Sequence, residues 1–291
     1  MSSTAMTTIA IVGAGRVGRA LGRSLRARGW NIGAVVTRSA ATARSAVHAI
    51  GGGHPHEVLT RRVLDATVVL IATPDDCIRD VAVRLARAGG EEWRGKVVLH
   101  TSGALDDRVL APLARLGAAT GAMHPLQTFS GRGVPLLEGV AFVIQGHGRA
   151  RQEARRIARS LGGAPVALRR AAKPAYHAAG TFAASYFLTL VETATCILMR
   201  IGFSRRRARA VLLPLIRQTL ANYERFGARK AWTGPVARGD FSTVARHLAA
   251  LGDWPQEFSQ SYAALARLSA RVLAPDAKGK LRQLDRVLPK R

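Results

Sequence analysis

The stretch Thr8-Ile9-Ala10-Ile11-Val12-Gly13-Ala14-Gly15-Arg16-Val17-Gly18 decides the fold. An apolar, β-branched run comes first, a glycine-rich turn follows, and a helical pattern begins at the arginine. In a strand–turn–helix unit of this kind, Gly13 makes the tight turn, Gly15 lets a pyrophosphate approach the backbone, and Gly18 lets the helix pack against the sheet. The helix start offers unpaired N–H groups and a positive dipole end to phosphates. The predicted cofactor contacts in this turn are Gly13, Gly15, Arg16, Val17 and Gly18.

The first half of the chain alternates short, continuous apolar runs with helical patterns, which is typical of a buried parallel sheet covered by helices. From Ala172 to Leu273 we find no strand pattern. We therefore predict an α/β fold, in which a Rossmann-type parallel-sheet domain over residues 1–168 precedes an all-helical domain over 169–274. A basic tail over 275–291 is expected to fray. The predicted strands are Thr8–Val12, Ile32–Thr37, Thr67–Ala72, Lys96–His100, Ala118–Met123, Val140–Gln145 and Ala164–Ala167, and the predicted helices of this half are Arg16–Arg28, Asp75–Ala88, Asp106–Leu116 and Arg149–Leu161.

The amino-acid composition excludes several classes of protein. Hydrophobic residues make up 48% of the 291, which is enough for packed cores and excludes a largely disordered chain. Cys77 and Cys196 are too few for a disulfide scaffold or a zinc cluster, so we expect a cytoplasmic protein. Lys and Arg outnumber Asp and Glu by 44 to 18. Because these cations are spread along the chain without interleaved aromatics, we expect attraction to anionic cofactors and substrates, and no specific nucleic-acid binding.

One apolar stretch, Ala178–Met199, carries a single charge at Glu192 and is long enough to span a bilayer. Several Gly, Ser and Thr residues dilute its hydrophobicity, and a helix that is apolar all round can equally be the buried centre of a helical domain. We favour the buried helix over a membrane span. A long apolar helix in a small helical domain also indicates self-association, most simply a two-fold homodimer.

The end of the second predicted strand selects the cofactor. An enzyme for NAD would place an acidic residue there to bind the ribose 2′-hydroxyl, but this chain has Thr37-Arg38-Ser39 and no carboxylate until Glu57. Arg38 can pair with a 2′-phosphate, and the two hydroxyls can donate to it, so we predict NADP(H). The alternative is that Arg38 is one more surface arginine. After the next long strand, Ala72, Thr73 and Pro74 are predicted to face the ribose and nicotinamide side.

Two later strands end in polar turns at the same sheet edge. Thr101, Ser102 and Gly103 form a small, donor-rich loop that can hold a substrate carboxylate, and His124 begins the second turn. Ser102 can instead belong to an ordinary turn, and a lone histidine is often structural. Together, the two turns favour a shared cleft for a small-molecule substrate.

The apolar helix begins with Lys173, and His177 lies four residues later on the same face. A partly desolvated lysine loses its proton more readily, which suits a general acid that protonates a carbonyl or imine as hydride arrives. The alternative is a solvated lysine in a first helical turn. Further along, Arg238 lies in a Gly- and Pro-rich interruption, where it can bind a carboxylate or phosphate, or pair internally with Asp240. The only tight histidine pair, at residues 54 and 56, lacks partner ligands, so no metal is expected.

These residues together resemble one family. The Gly13–Gly18 turn, the loop from His100 to Gly103, the segment His124–Gln127, Lys173 with His177, and the segment Thr233–Leu248 look like Rossmann-like proteins with a C-terminal domain of unknown function, often labelled NADP oxidoreductases. The resemblance extends from about Thr8 to Leu273. It implies a nucleotide-binding domain followed by a helical domain that builds a dimer.

The family is a distant relative of the β-hydroxyacid dehydrogenases, ketopantoate reductase and pyrroline-5-carboxylate reductase. In the first group a Ser-Gly pair anchors substrate and a lysine carries the chemistry, and Ser102-Gly103 and Lys173 match those positions. His177 stands where an asparagine is expected. The prediction is an NADP(H)-dependent oxidoreductase acting on a small carbonyl or imine compound that carries a carboxylate, with Lys173, His177 and Ser102 as catalytic residues. The alternative is a non-catalytic NADP-binding sensor or scaffold.

Overall fold

A single eight-stranded sheet organises the N-terminal part of this computed structural model, which describes residues 7–59, 61–131, 133 and 136–289. Its strand order is β3-β2-β1-β4-β5-β6-β7-β8. The strands are β1 (Thr8–Val12), β2 (Asn31–Val36), β3 (His54–His56), β4 (Val68–Ile71), β5 (Val97–His100), β6 (Ala119–Pro125), β7 (Ala141–Gly146) and β8 (Ala164–Ala167). The chain divides into two compact units, Met1–Ser185 and Tyr186–Arg291, and the sheet belongs to the first.

The sheet reverses its winding direction at β1. This strand pairs in parallel with β2 on one side and with β4 on the other. In open α/β sheets the carboxyl ends of two such strands diverge and leave a crevice, which is where ligands bind. The fold therefore places the crevice between the turn that follows β1 and the turn that follows β4.

Helices cover both faces of the sheet. On β1, Ile9 and Ile11 pack into one apolar layer, whereas Ala10 and Val12 pack into the other. This alternation between two buried layers explains why the strand reads as a continuous apolar run. The helices of this unit are α1 (Arg16–Ala27), α2 (Ala40–Ile50), α3 (Asp75–Gly89), α4 (Ala111–Ala114), α5 (Gly148–Ser160) and α6 (Lys173–Thr181).

The predicted strands are confirmed to within two residues at each end, but two features of the sheet differ from the prediction. The pair β6–β7 is antiparallel, because a parallel connection needs a crossover, usually a helix, and the described residues between these strands form none. Secondly, α2 and the three-residue edge strand β3 were not predicted, since β3 is too short to show a period. In addition, the helix predicted over Asp106–Leu116 is a 3₁₀ turn (Asp107–Leu110) followed by the short α4.

The described residues of the second unit form helices and the turns between them. Gly202 and Gly227, with positive φ angles of 102° and 75°, interrupt the helical backbone. Asp240 caps the following helix by accepting a hydrogen bond from the Thr243 N–H at 3.1 Å. The helices are α7 (Phe187–Arg200), α8 (Arg205–Ala231), α9 (Pro235–Arg238), α10 (Phe241–Ala250), α11 (Gln256–Leu273) and α12 (Ala277–Leu284), and a π-helical turn at Phe182–Tyr186 separates α6 from α7.

The prediction of a frayed basic tail is wrong for its described part. Asp276 caps α12 by accepting from the Gly279 N–H at 2.9 Å. Leu284 and Leu288 are buried in the same apolar cluster as Ala266 and Ala270 of α11. Two leucines four residues apart therefore hold the tail in place, despite the basic residues between and around them.

The long apolar helix is mostly exposed, so the prediction that it is buried is wrong for the single chain. The segment Arg170–Arg200 is long and apolar enough to cross a membrane, and few of the residues in its most apolar window are buried. The core helix of a soluble protein passes the same length and composition test, but such a helix is buried. Large exposed apolar side chains of the second unit lie on both α7 and α8, and include Leu188, Leu190, Leu215, Leu220 and Tyr223.

Candidate functional site

The three glycines of the turn after β1 differ in what surrounds them. Gly13 has a φ of 90°, and a Cβ there would lie 2.6 Å from the Thr73 side chain. A Cβ on Gly18 would lie 2.2 Å from the Gly13 carbonyl oxygen, so only glycine lets α1 start this close to the turn. Around Gly15, no heavy atom of the described residues lies within 4 Å of an added Cβ. The turn is therefore closed towards the protein and open beside Gly15, as a backbone cradle for a ligand requires.

The open side of the turn belongs to a cleft of about 1040 Å³ at the carboxyl ends of β1, β2 and β4. Five arginines and two carboxylates line it, so its wall carries net positive charge. Such a wall attracts a ligand with several phosphates. Of the predicted cofactor contacts, the cleft is lined by Gly13, Gly15, Arg16, Thr37, Arg38, Ala72, Thr73 and Pro74.

Gly18 and Ser39 do not line this cleft among the described residues, and Val17 lines a neighbouring cavity instead. Ser39 caps α2, with its hydroxyl accepting from the Thr42 N–H at 3.3 Å and donating to Thr42 Oγ1 at 2.9 Å. The Thr37 hydroxyl donates to the Ser39 carbonyl at 2.9 Å. Both hydroxyl hydrogens are therefore already used within the chain, and of the three residues predicted to bind the 2′-phosphate, Arg38 is the one whose side chain remains for a ligand.

Thr73 joins the large cleft to a smaller cavity. The smaller cavity has a volume of about 220 Å³, and Ala72, Thr73 and Phe129 line both spaces. The Thr73 hydroxyl is buried, and the described residues offer it no hydrogen-bond partner. Buried hydroxyls are rarely left unpaired, so a ligand at this junction would satisfy it. The predicted residues that line the smaller cavity are Val17, Ala72, Thr73, Thr101, Ser102, Gly103, His124 and His177.

His100 ends β5, and Ser102 lies in the turn that follows it and lines the smaller cavity. The buried His100 donates from Nε2 to the Asp106 carbonyl at 3.1 Å and accepts at Nδ1 from the Ser102 N–H at 3.2 Å. Burial, with a contribution from the charge of Lys173, lowers the pKa of His100 to about 3, so the ring is neutral. The Ser102 hydroxyl accepts from the N–H groups of Ala104 and Leu105, which shapes the turn and leaves its own hydrogen to donate.

Two imidazole nitrogens converge above Gly103. A Cβ at Gly103 would lie 2.4 Å from His177 Nδ1 and 2.8 Å from His124 Nε2. His124 Nδ1 is hydrogen-bonded to the Tyr176 hydroxyl at 2.7 Å, which fixes the ring. Burial, the positive charge of Lys173 and the neighbouring His177 lower the pKa of His124 to about 4, so it is neutral near pH 7. Burial raises the pKa of Tyr176 to about 12.

Lys173 is fully buried and lines neither cavity among the described residues. The structure thus contradicts the solvated lysine of the alternative interpretation. Its ammonium nitrogen has no hydrogen-bond partner within the described part of the chain. Burial lowers the pKa of Lys173 to about 8, against the opposing influence of the carboxylates of Asp106, Asp107 and Asp75. Burying an unpaired ammonium is unfavourable in free energy. Its positive charge also contributes to the lowered pKa values of His100 and His124.

An ion pair joins the turn before α6 to the 3₁₀ turn Asp107–Leu110, which follows β5. Arg170 donates from Nε and Nη2 to the two oxygens of Asp107 at 2.6 and 2.7 Å. Although burial raises the pKa of Asp107, this two-point bond lowers it below its ordinary value overall. Paired in this way, Asp107 holds in place the segment that carries Lys173, Tyr176 and His177.

Arg238 belongs to the second unit, at the end of α9. Its side chain is exposed and makes no ion pair with any described residue, and Asp240 instead caps α10. The loop itself is ordered by the Lys280 ammonium, which donates to the Ala237 carbonyl at 3.2 Å. Within the described ranges, no group of three or more His, Cys, Asp and Glu side chains is placed to hold a metal ion.

Several residues that line the two cavities escaped the sequence analysis, and so did Tyr176, which lines neither of them. Arg19 and Arg23 line the large cleft, and their helical spacing from Arg16 is a signal that could have found them. Phe129, which lines both spaces, lies in the turn that begins with His124 and gives no signal of its own. Tyr176 precedes His177, but only the folded structure shows that it bonds to His124.

Two family models match the chain. A Rossmann-like domain matches residues 2–125, and a domain of unknown function, DUF2520, matches residues 140–269. The chain is a Rossmann-like protein with a C-terminal DUF2520 domain. The resemblance found in the sequence is therefore confirmed, as is the fold class of an N-terminal sheet domain with a largely helical C-terminal region. No curated protein matches the chain.

Solved structures share the fold over nearly the whole chain. The "putative NADP oxidoreductase BF3122" of Bacteroides fragilis is 21% identical, with a TM-score of 0.75 over 90% of this chain and 97% of that one. An imine reductase of Streptomyces aurantiacus is 15% identical, with a TM-score of 0.65 over 95% and 99%. A reductive aminase of Aspergillus terreus in complex with NADPH and ethyl-5-oxohexanoate is 16% identical, with a TM-score of 0.61 over 97% and 93%.

Proposed function

We propose that the protein is an NADP(H)-dependent oxidoreductase that reduces a small carbonyl or imine compound carrying a carboxylate. One observation carries the proposal. The glycine turn opens into a basic cleft, and that cleft shares the wall of Thr73 and Phe129 with a small cavity in which two histidines converge. A large site for a phosphorylated cofactor thus adjoins a small site for a substrate. Proteins with this fold include reductases named for imines and amines, and one of them was crystallised with NADPH.

The residues of the large cleft fit NADP(H). Gly13, Gly15 and the start of α1 would hold the pyrophosphate, Arg38 would pair with the 2′-phosphate, and the unpaired Thr73 hydroxyl would bind nearer the nicotinamide. When bound, NADPH supplies a hydride. The protein itself contributes alignment, through the backbone turn, and electrostatic attraction, through the arginines of the wall.

In the small cavity we assign the proton-donating role to His177 rather than to Lys173, with the neutral His124 as a hydrogen-bonding group. Both imidazoles line the cavity, whereas Lys173 does not. Lys173 is then a positioning residue whose charge adds to the effect of burial in keeping His124 and His100 neutral, and favours an anionic substrate near them. The turn at Thr101, Ser102 and Gly103 would orient the substrate carboxylate with its hydroxyls and N–H groups.

The cofactor proposal is tested by titrating NADPH and NADH into wild type and Arg38→Ala by calorimetry. We expect wild type to prefer NADPH, and the variant to lose roughly 10- to 100-fold in NADPH affinity, since a charge-assisted bond to phosphate is worth about 1.5–3 kcal/mol. NADH affinity should stay within about twofold, and so should both affinities in Arg115→Ala, a control arginine outside the cleft. Equal affinity of wild type for the two cofactors would refute the proposal.

We also propose that the second unit forms a homodimer through α7 and α8. Leu188, Leu215 and Tyr223 are each at least 60% exposed on these two helices, and contiguous exposed apolar surface of this kind marks an interface. Sedimentation velocity should show a dimer for wild type and a monomer for Leu188→Asp. Leu136→Asp changes a leucine that is exposed on the first unit and should stay dimeric. A monomeric wild type would refute this proposal.

We also propose that the protein resides in a reducing compartment such as the cytoplasm. Cys77 and Cys196 are both free in the structure. Structural disulfides are typical of oxidising compartments, and neither cysteine takes part in one. Cellular fractionation would test this localisation directly.

A further inference from the structure

Glu57 lies in the large cleft, where the sequence led us to expect no carboxylate. It follows β3 directly, and its Oε2 accepts a hydrogen bond from the Ala40 N–H at 3.1 Å. Ala40 is the first residue of α2, so the carboxylate lies at the positive end of that helix. The pairing of β3 with β2 places Glu57 here, because Val36 and His56 are register partners at the ends of the two strands.

The same corner of the cleft holds the cation that we assign to the 2′-phosphate. Arg38 and Glu57 both line the cleft, yet they form no ion pair, and Arg38 makes no hydrogen bond to any described residue. The guanidinium is therefore available, whereas the N–H at the helix start is taken by the chain's own anion. A 2′-phosphate attracted by Arg38 would approach a helix N-terminus that Glu57 already occupies.

Resting on the function proposed above, we propose that Glu57 competes internally with the 2′-phosphate of NADP(H) and so determines how strongly the cleft prefers the phosphorylated cofactor. The carboxylate and the phosphate are both anions drawn to the same N–H donor and the same dipole end. Binding of the phosphorylated cofactor must displace Glu57 or bear its repulsion. The unphosphorylated cofactor places no charge at this corner and does not compete.

The variant Glu57→Gln removes the negative charge of this side chain and keeps its size and shape. The amide oxygen can still accept from the Ala40 N–H, but the negative charge is gone. Glu91→Gln is the matched control, since Glu91 is an exposed glutamate of the same unit that lines neither cavity. The probes are adenosine 2′,5′-bisphosphate and AMP, which differ only in the 2′-phosphate, together with NADPH and NADH. Affinities are measured by calorimetry, and melting temperatures establish that both variants are folded.

We expect Glu57→Gln to bind adenosine 2′,5′-bisphosphate and NADPH about three- to tenfold more tightly than wild type, the size of a like-charge repulsion over a few ångströms near water. Affinities for AMP and NADH should change by less than about twofold, and Glu91→Gln should match wild type throughout.

Two results would overturn the inference while leaving the proposed function intact. If wild type binds NADPH but Glu57→Gln shows no gain, Glu57 does not compete. If the variant loses affinity for AMP and NADH, Glu57 holds ribose hydroxyls instead. A wild type that binds none of the four probes refutes the proposed function, and this inference with it.

Discussion

The two cavities of the N-terminal unit differ in whether backbone or side-chain atoms form their walls around the glycines. The walls nearest the glycine turn are backbone: an added Cβ at Gly18 would meet the Gly13 carbonyl oxygen at 2.2 Å. The small cavity is walled by side chains: the same change at Gly103 would meet the imidazoles of His177 and His124. Backbone cannot move without disturbing the strand and helix it joins, whereas a side chain can change rotamer. The glycine turn of the first cavity is thus held in place by the fold, whereas the imidazole walls of the second can adjust within it.

The largest expected effect is that of Gly18→Ala. Its methyl group would clash with the Gly13 carbonyl oxygen, which is fixed in the backbone. We therefore expect the free energy of unfolding to fall by about 1–3 kcal/mol or more, which is typical of overpacking. NADPH affinity should fall with it as the turn is pushed out of shape. Urea unfolding followed by circular dichroism measures the first effect, and calorimetry measures the second.

Gly15→Ala is the matched variant in the same turn. No heavy atom of the described residues lies within 4 Å of its added methyl group, so the stability of the free protein should barely change. NADPH binding should nevertheless weaken, by roughly 10- to 100-fold, because the methyl projects where the pyrophosphate approaches. Unchanged NADPH affinity in Gly15→Ala would show that the phosphates do not lie against this turn.

The next effect is a loss of stability in acid that is caused by two buried histidines, His100 and His124. The pKa values of His100 and His124 are lowered to about 3 and about 4 by burial and by the charge of Lys173. Below the ordinary value of about 6.5 the unfolded chain binds protons that the folded chain cannot, so stability falls as the pH drops towards 4. The slope should approach about 1.4 kcal/mol per pH unit for each histidine.

Urea unfolding at pH 7, 6 and 5 measures this slope. His124→Asn should reduce it by about half, since one of the two neutral histidines is removed. His48→Asn, which changes an exposed histidine on α2, should leave it unchanged. A slope that is the same in all three proteins would mean that His124 is not held neutral by the fold.

Gly103→Ala is expected to cost less stability than Gly18→Ala. Its methyl group meets the side chains of His177 and His124, which can shift while the backbone stays in place, at the expense of the hydrogen bond between His124 and Tyr176, so we expect a cost of about 1 kcal/mol. The imidazole NMR resonances of His124 and His177 should nevertheless shift, because both rings must move. A loss of stability as large as that of Gly18→Ala would contradict the distinction between backbone and side-chain walls.

The same distinction explains what the sequence could predict. Gly13, Gly15, Gly18 and the strand before them are local signals, because the turn, the helix start and the buried strand are adjacent in the chain. The predicted strand, turn and helix start were confirmed, and so was the order of an α/β half followed by a helical half. The turns after β5 and β6 were also predicted at one edge, because the carboxyl ends of parallel strands meet there.

Side-chain direction and partnership were not predictable. Lys173 was expected to face substrate, but the first turn of α6 points it into the interior, and no local pattern distinguishes the two outcomes. The bond from Tyr176 to His124 joins residues 52 positions apart. The exposure of α7 and α8 was also not predictable. The hydrophobicity of a helix indicates that it packs against another surface, but not whether that surface belongs to the same chain.

A crystal structure of the full chain with NADP⁺ would test the central claim most directly. The account predicts the pyrophosphate against Gly15 and the start of α1, the 2′-phosphate at Arg38, and the nicotinamide at Thr73, facing the cavity of His124 and His177. A nucleotide bound elsewhere, or a nicotinamide ring turned away from that cavity, would contradict it.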